Sequence, residues 1–96
     1  LYITYILVIM LMNSIYWSVK AAKQLRKLPI AVQRTIRDAV QEKLGIFPRC
    51  SNVKALVKHA YEFRLRVGAY RVFFDFDGAV KVCLVQEVKK RDEHAY

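Results

Sequence analysis

Residues suited to holding a phosphate gather in the second half of this sequence. Arg64, Arg66 and Arg71 fall in YEFRLRVGAYRVFFDFDG (residues 61–78). Lys54 and Lys58 precede them, and the chain closes on KKRDEHAY, which carries Lys89, Lys90, Arg91, His94 and Tyr96. An arginine stays protonated, so it can clamp a phosphate or stabilise developing negative charge but is a poor base. Proton transfer would fall to His94, which titrates near neutrality, or to Tyr96 if nearby cations lower its pKa. His59 reads as a loop histidine. The carboxylates Glu62, Asp75, Glu87, Asp92 and Glu93 form no metal-ligand pattern, and phosphate-loop, HExxH and GxSxG motifs are absent from the sequence. A metal-dependent nuclease is therefore disfavoured, and no metal or cofactor is called for.

These cations need a scaffold, and the period of the apolar residues supplies one. In YEFRLRV, Tyr61, Phe63, Leu65 and Val67 point one way and Glu62, Arg64 and Arg66 the other. Gly68-Ala69 suits a two-residue type II′ turn, and YRVFFDF continues with Tyr70, Val72, Phe74 and Phe76 on one face. That register sets Arg66 across from Arg71 and Arg64 across from Phe73. Like charges directly opposite are destabilising, an arrangement that an anion or an acidic partner would relieve. The alternative is a solvated face with Glu62 and Asp75 as counter-ions. Asp77-Gly78 signals a second hairpin into a last strand from Ala79 to Val88, apolar on both faces and so internal to the sheet.

Upstream, SIYWSV predicts a first strand, and Ser18 is placed to cap a helix through VKAAKQLRKL. In IAVQRTIRDAVQEKL, Val32, Ile36, Ala39, Val40 and Leu44 form one helical stripe. Gly45 is placed to end that helix in a left-handed conformation, and Pro48 prevents its resumption. Residues 48–60 read as an exposed loop. The expected fold is α+β, in the order β-α-α-β-β-β, with a helical hairpin packed on a small antiparallel sheet.

The 96 residues allow one domain, and 55% hydrophobic content argues against disorder. Lys plus Arg is 17 against 8 acidic residues, a net charge of +9 that favours a polyanionic partner. Cys50 and Cys83 suggest reduced thiols of a cytosolic protein and neither a disulfide framework nor a zinc site. LYITYILVIMLM is an uncharged apolar run, too short for the ~20 residues of a membrane helix. An extra strand or partner-binding segment, a membrane-associated leader and an upstream extension compete for it. The extension is favoured, with residues 1–11 outside a domain spanning 12–96.

The chain from about Asn13 to Tyr96 resembles the RelE/ParE superfamily, the toxins of type II toxin–antitoxin pairs. The resemblance rests on W-S-x-x-A-x-K-x-L-x-K-L-P (residues 17–29), L-G-I-F-P, K-A-L, Y-E-F-R-L-R-V-G-A-Y-R-V-F-F and the closing K-K-R-D-E-H-A-Y. It implies a cytoplasmic, prokaryotic, ribosome-dependent mRNA endoribonuclease that needs no metal, in which the RNA 2′-hydroxyl attacks the adjacent phosphate. By the same resemblance Arg71 and Arg91 would stabilise the transition state, Arg64 would clamp phosphate, and His94 or Tyr96 would be the acid/base. Arg66, Lys54, Lys58, Lys89 and Lys90 would attract RNA. The implied partners are an adjacently encoded antitoxin, mRNA on the ribosome, and operator DNA only through the toxin–antitoxin complex, with no stable membrane association. Glu62 departs from the RelE prototype, which has a second lysine there. Glutamate is common in the wider superfamily, including ParE-like gyrase poisons. A gyrase inhibitor and a non-catalytic basic RNA- or protein-binding module are the alternatives.

Overall fold

A computed structural model describes residues 12–91 of the chain. The expected extension over residues 1–11 lies outside them, as do His94 and Tyr96. The elements are β1 (Ser14–Trp17), α1 (Val19–Arg26), α2 (Ile30–Gly45), β2 (Val53–Ala55), β3 (Phe63–Val67), β4 (Tyr70–Asp77) and β5 (Val82–Lys90). The strands form one sheet in the order β1-β5-β4-β3-β2. β1 runs parallel to β5, and the other neighbours are antiparallel. The α+β architecture agrees with the sequence reading, but the sheet is mixed and has five strands. The additional strand, β2, lies within the expected loop over residues 48–60.

Two helices cover one face of the sheet. Ala21 and Leu25 of α1 and Ile36, Val40 and Leu44 of α2 pack on Leu65, Val72, Phe74, Cys83 and Val85. Burying each large side chain contributes about 1.5–3 kcal/mol. The α2 stripe thus does what its spacing predicts. β5 is internal, as its two apolar faces require, being paired with β1 on one side and β4 on the other.

Because β1 ends at Trp17, the outer edge of β5 beyond Val85 lacks a strand partner. The first turns of α1 supply substitutes. The Ser18 hydroxyl donates to the Gln86 carbonyl at 3.1 Å and accepts from the Ala21 amide at 3.0 Å, capping α1 as expected. The Val88 amide donates to Gln24 Oε1 at 2.7 Å. One hydroxyl and one amide side chain thereby close the edge and fix α1 against the sheet.

Gly45 does not cap α2 in a left-handed conformation; it is the last residue of the helix. Its missing side chain makes room for a neighbour, since a Cβ here would lie 2.9 Å from Met12 Cε. The cap comes from Asn13. Its side-chain amide donates to the Leu44 and Phe47 carbonyls at 2.9 and 2.8 Å, and its backbone amide donates to the Gly45 carbonyl at 2.9 Å. Orphan carbonyls at the helix end are thus satisfied from 31 residues away in sequence.

The two turns differ. Gly68 has φ of +56° and Val67 pairs with Tyr70, the two-residue turn expected at Gly68-Ala69. At Asp77-Gly78 the expected tight turn is absent. Asp77 pairs with Val82, and residues 78–81 form a longer loop in which Lys81 takes φ of +55°. Asp77 Oδ1 accepts from the Ala79 amide at 2.9 Å, so the aspartate organises the loop through its side chain.

Candidate nucleic-acid interface on the uncovered sheet face

The alternation that buries Leu65, Val72 and Val85 under the helices sends the intervening residues to the opposite face. There the register lines up two rows. Lys54, Arg64, Phe73 and Glu87 are successive partners across β2, β3, β4 and β5. In the next row Arg66 faces Arg71, and Arg71 faces Lys89. Neighbouring strands lie ~4.8 Å apart, so three cationic positions fall within about 10 Å. The pairings of Arg66 with Arg71 and Arg64 with Phe73 are those the turn geometry predicts.

Arg91 joins this end of the sheet through its backbone. Its amide donates to the Ala69 carbonyl at 2.6 Å, placing it beside the β3–β4 turn and one residue beyond the Tyr70–Lys90 pair. Lys90, in contrast, pairs with Tyr70 on the helix side of the sheet. It does not share a face with Arg66 and Arg71, which removes it from the grouping of basic residues expected to meet RNA together. Lys58 lies in the exposed loop before β3, with φ of +54°.

The electrostatics of the face are uneven. Glu87, only 8% exposed, sits 3.4 Å from Lys20 and 3.6 Å from Lys89. The Glu87 carboxylate raises the pKa of the Lys20 ammonium, and a hydrogen bond with Tyr61 adds to that shift. Positive charge at the β5 end is therefore partly offset within the protein. Around Arg64 the balance differs: the side chain is half-buried and its Nε has no hydrogen-bond partner. A desolvated guanidinium N–H without an acceptor is unfavourable, and because Nε is enclosed, an anion at Arg64 would have to be met by the terminal guanidinium nitrogens.

Glu62 and Asp75 hold backbone amides. The Glu62 amide donates to Asp75 Oδ1 at 2.9 Å, and the Phe76 amide donates to Glu62 Oε1 at 2.9 Å. Asp75 Oδ2 also accepts from Gln86 Nε2 at 3.1 Å. These reciprocal bonds extend the β3–β4 contact past Phe63–Phe74, the last pair of the ladder.

Sequence reasoning missed three participants. Lys20 and Glu87 meet only because α1 packs beside β5. His59 stacks on Phe73, with ring centroids 5.2 Å apart and planes 12° apart. The signal for that contact was Phe73 itself, a large apolar residue on the polar face of β4 that needs a cover. Cys50 is half-buried and Cys83 buried, and the two are not bonded to each other. Among the described residues, no three His, Cys, Asp or Glu side chains group as metal ligands.

A small basic α+β domain with helices on one sheet face and cations on the other defines a class of fold. That fold is the RelE fold, in keeping with the resemblance read from the motifs. The chain superposes on a chain of the toxin–antitoxin complex RelBE2 from Mycobacterium tuberculosis with a TM-score of 0.74 at 22% identity, covering 83% of this chain and 99% of that one. For the archaeal RelE–RelB complex from Pyrococcus horikoshii the TM-score is 0.66 at 25% identity, covering 86% and 99%. For the isolated Escherichia coli RelE toxin it is 0.69 at 20% identity, covering 85% and 87%. No family model and no curated protein matches the sequence. Among the described residues no helix is long and apolar enough to cross a membrane.

Proposed function

We propose that this protein is a RelE-type toxin that cuts mRNA on the ribosome by metal-independent transesterification. The observation that carries the reading is the row Arg66–Arg71–Lys89, with Arg64 one row away and Arg91 tied to the adjoining turn. In the reaction, the 2′-oxygen of one nucleotide forms a bond to the neighbouring phosphorus as its proton passes to a base. The bond from phosphorus to the 5′-oxygen breaks, and that oxygen takes up a proton. The products are a 2′,3′-cyclic phosphate and a 5′-hydroxyl. Negative charge builds on the phosphorane oxygens, and fixed guanidinium groups stabilise it. Arg71 and Arg91 take this role, Arg64 clamps the phosphate, and His94 or Tyr96 transfers the protons. Lys54, Arg66, Lys58 and Lys89 raise the local concentration of RNA.

The likeness to chains from RelE–RelB complexes supports a cognate antitoxin as the resting partner. With a net charge of +9, the chain suits an acidic antitoxin segment. Operator DNA would be met through that complex, and the site of action is the prokaryotic cytoplasm. The competing gyrase-inhibitor reading leans on Glu62, whose Oε1 accepts from the Phe76 amide. Induced expression followed by separate measurement of protein synthesis and DNA replication tests the choice. Translation is expected to stop first; a stop in replication with translation intact would overturn the nuclease reading.

A further inference from the structure

His59, Tyr61 and Phe73 form an aromatic group on the cationic face that the proposed reaction does not use. Phe73 lies between the Arg64 and Glu87 positions and is 7% exposed. It owes its cover to the loop before β3. The His59 ring stacks on Phe73 at 5.2 Å and 12°, and Tyr61 leans on Phe73 at 5.8 Å and 37°.

The loop that carries these rings is tied at several points. The Leu56 amide donates to the Glu62 carbonyl at 2.9 Å, closing its base. The Tyr61 amide donates to His59 Nδ1 at 3.1 Å, which fixes the plane of the imidazole and leaves Nε2 to carry the proton of the neutral ring. Glu62 is bonded to β4. One face of the His59 ring is therefore against Phe73, while the residue as a whole remains exposed.

A flat, oriented, exposed π-surface backed by a second ring suits an unpaired nucleobase, which stacks on aromatic side chains without sequence preference. Its setting favours an anionic strand over an apolar protein surface. Arg64 is the cross-strand partner of Phe73, and Lys54 is the next partner along. Aromatic platform and phosphate clamp thus adjoin, the pairing that single-stranded RNA needs. We propose that His59, stacked on Phe73, is a nucleobase platform for a nucleotide flanking the phosphate held by Arg64. The inference rests on RNA being the ligand of this face.

The test uses the full chain and a short single-stranded RNA with 2′-O-methyl groups throughout, which blocks cleavage, and one 2-aminopurine. Stacking quenches the fluorescence of that base. Wild-type protein is expected to quench it, and His59→Ala to abolish quenching and weaken binding about 5- to 20-fold, the lower half of the range for one stacked base. His59→Phe should restore quenching. Arg64→Ala should weaken binding and lower its salt dependence while leaving quenching in the bound complex. An abasic site in place of 2-aminopurine should weaken wild-type binding and leave His59→Ala unaffected. RNA binding with equal quenching by wild type and His59→Ala would overturn the platform and leave the RNA reading intact. A wild-type protein that binds no RNA at low salt would overturn both. An effect of His59→Ala confined to an acidic peptide, with RNA binding unchanged, would also overturn the platform.

Discussion

Arg66 and Arg71 are direct partners across the β3–β4 ladder, on the sheet face that the helices leave uncovered. Each is at the position where a hairpin of ordinary composition would carry a neutral or opposite-charge pair. Like charges so placed are destabilising by up to about 1 kcal/mol. Arg66→Ala should accordingly raise stability by a few tenths of a kcal/mol at low salt, and the gain should vanish as salt screens the pair. Denaturant titrations at low and high ionic strength check this. A loss of stability independent of salt would mean that Arg66 contributes through packing.

The cap on α2 gives a sharper stability test. Asn13→Ala removes two hydrogen bonds while the Leu44 carbonyl keeps the Phe47 amide and the Cys83 thiol as donors, a loss of about 1–2 kcal/mol. Gly45→Ala should be close to neutral. Helix propensity favours alanine by about 1 kcal/mol, and the obstructing atom is the free end of the flexible Met12 side chain. A left-handed cap would instead make Gly45→Ala clearly destabilising. Urea unfolding of the two variants separates the possibilities.

Glu62 is expected to matter for folding and not for choice of target. Glu62→Gln keeps an oxygen for the Phe76 amide and should leave stability within about 0.5 kcal/mol and toxicity unchanged. Glu62→Ala should lose about 1 kcal/mol. Growth arrest on induction and unfolding curves measure the two effects. Loss of toxicity in Glu62→Gln would return Glu62 to the functional site.

The cysteines should respond differently to pH and to alkylation. Burial pushes the Cys83 thiol up to about 11 from its ordinary 9.0, and burial also raises the half-buried Cys50. Between about pH 9 and 11 the unfolded chain loses the Cys83 proton while the native protein keeps it. The native state then binds more protons, so stability contributed by this group falls as pH rises through that window. Iodoacetamide at pH 8 should label Cys50 in the folded protein and Cys83 only after unfolding, as mass spectrometry would record.

Much of this fold is legible because local rules and tertiary packing agree. The α2 stripe, the Ser18 cap, the Gly68-Ala69 turn and the Arg66–Arg71 pairing all follow from spacing within a few residues. What was not legible depends on contacts distant in sequence. β2 is three residues long and is stabilised by pairing with β3, so its own sequence carries little period. The α2 cap comes from Asn13, which removed the need for a left-handed Gly45. Asp77-Gly78 looked like a two-residue turn, but the Asp77 side chain bonds to the Ala79 amide and a longer loop results. In the candidate site, alternation placed Arg64, Arg66 and Arg71 on one face. The Phe73–Glu87 pairing was hidden by a register shift between Phe73 and Phe74. That irregularity also helps decide which tail residue shares a face with Arg71: Lys89 does, and Lys90 does not.

The central claim is that Arg71 and Arg91 stabilise the charge of RNA transesterification. It is tested most directly with ribosomes programmed with a defined mRNA and purified protein, in a buffer whose Mg2+ keeps the ribosomes intact. The account predicts cleavage in the A-site codon, leaving a 5′-hydroxyl and a 2′,3′-cyclic phosphate, and abolished by a 2′-deoxy substitution at the attacking nucleotide. Arg71→Ala and Arg91→Ala should each slow cleavage by about 100-fold or more, with circular dichroism unchanged, while Lys90→Ala stays within a few-fold of wild type. An mRNA that remains intact on the ribosome, or cleavage undiminished in the Arg71→Ala, Arg91→Ala double variant, would contradict it.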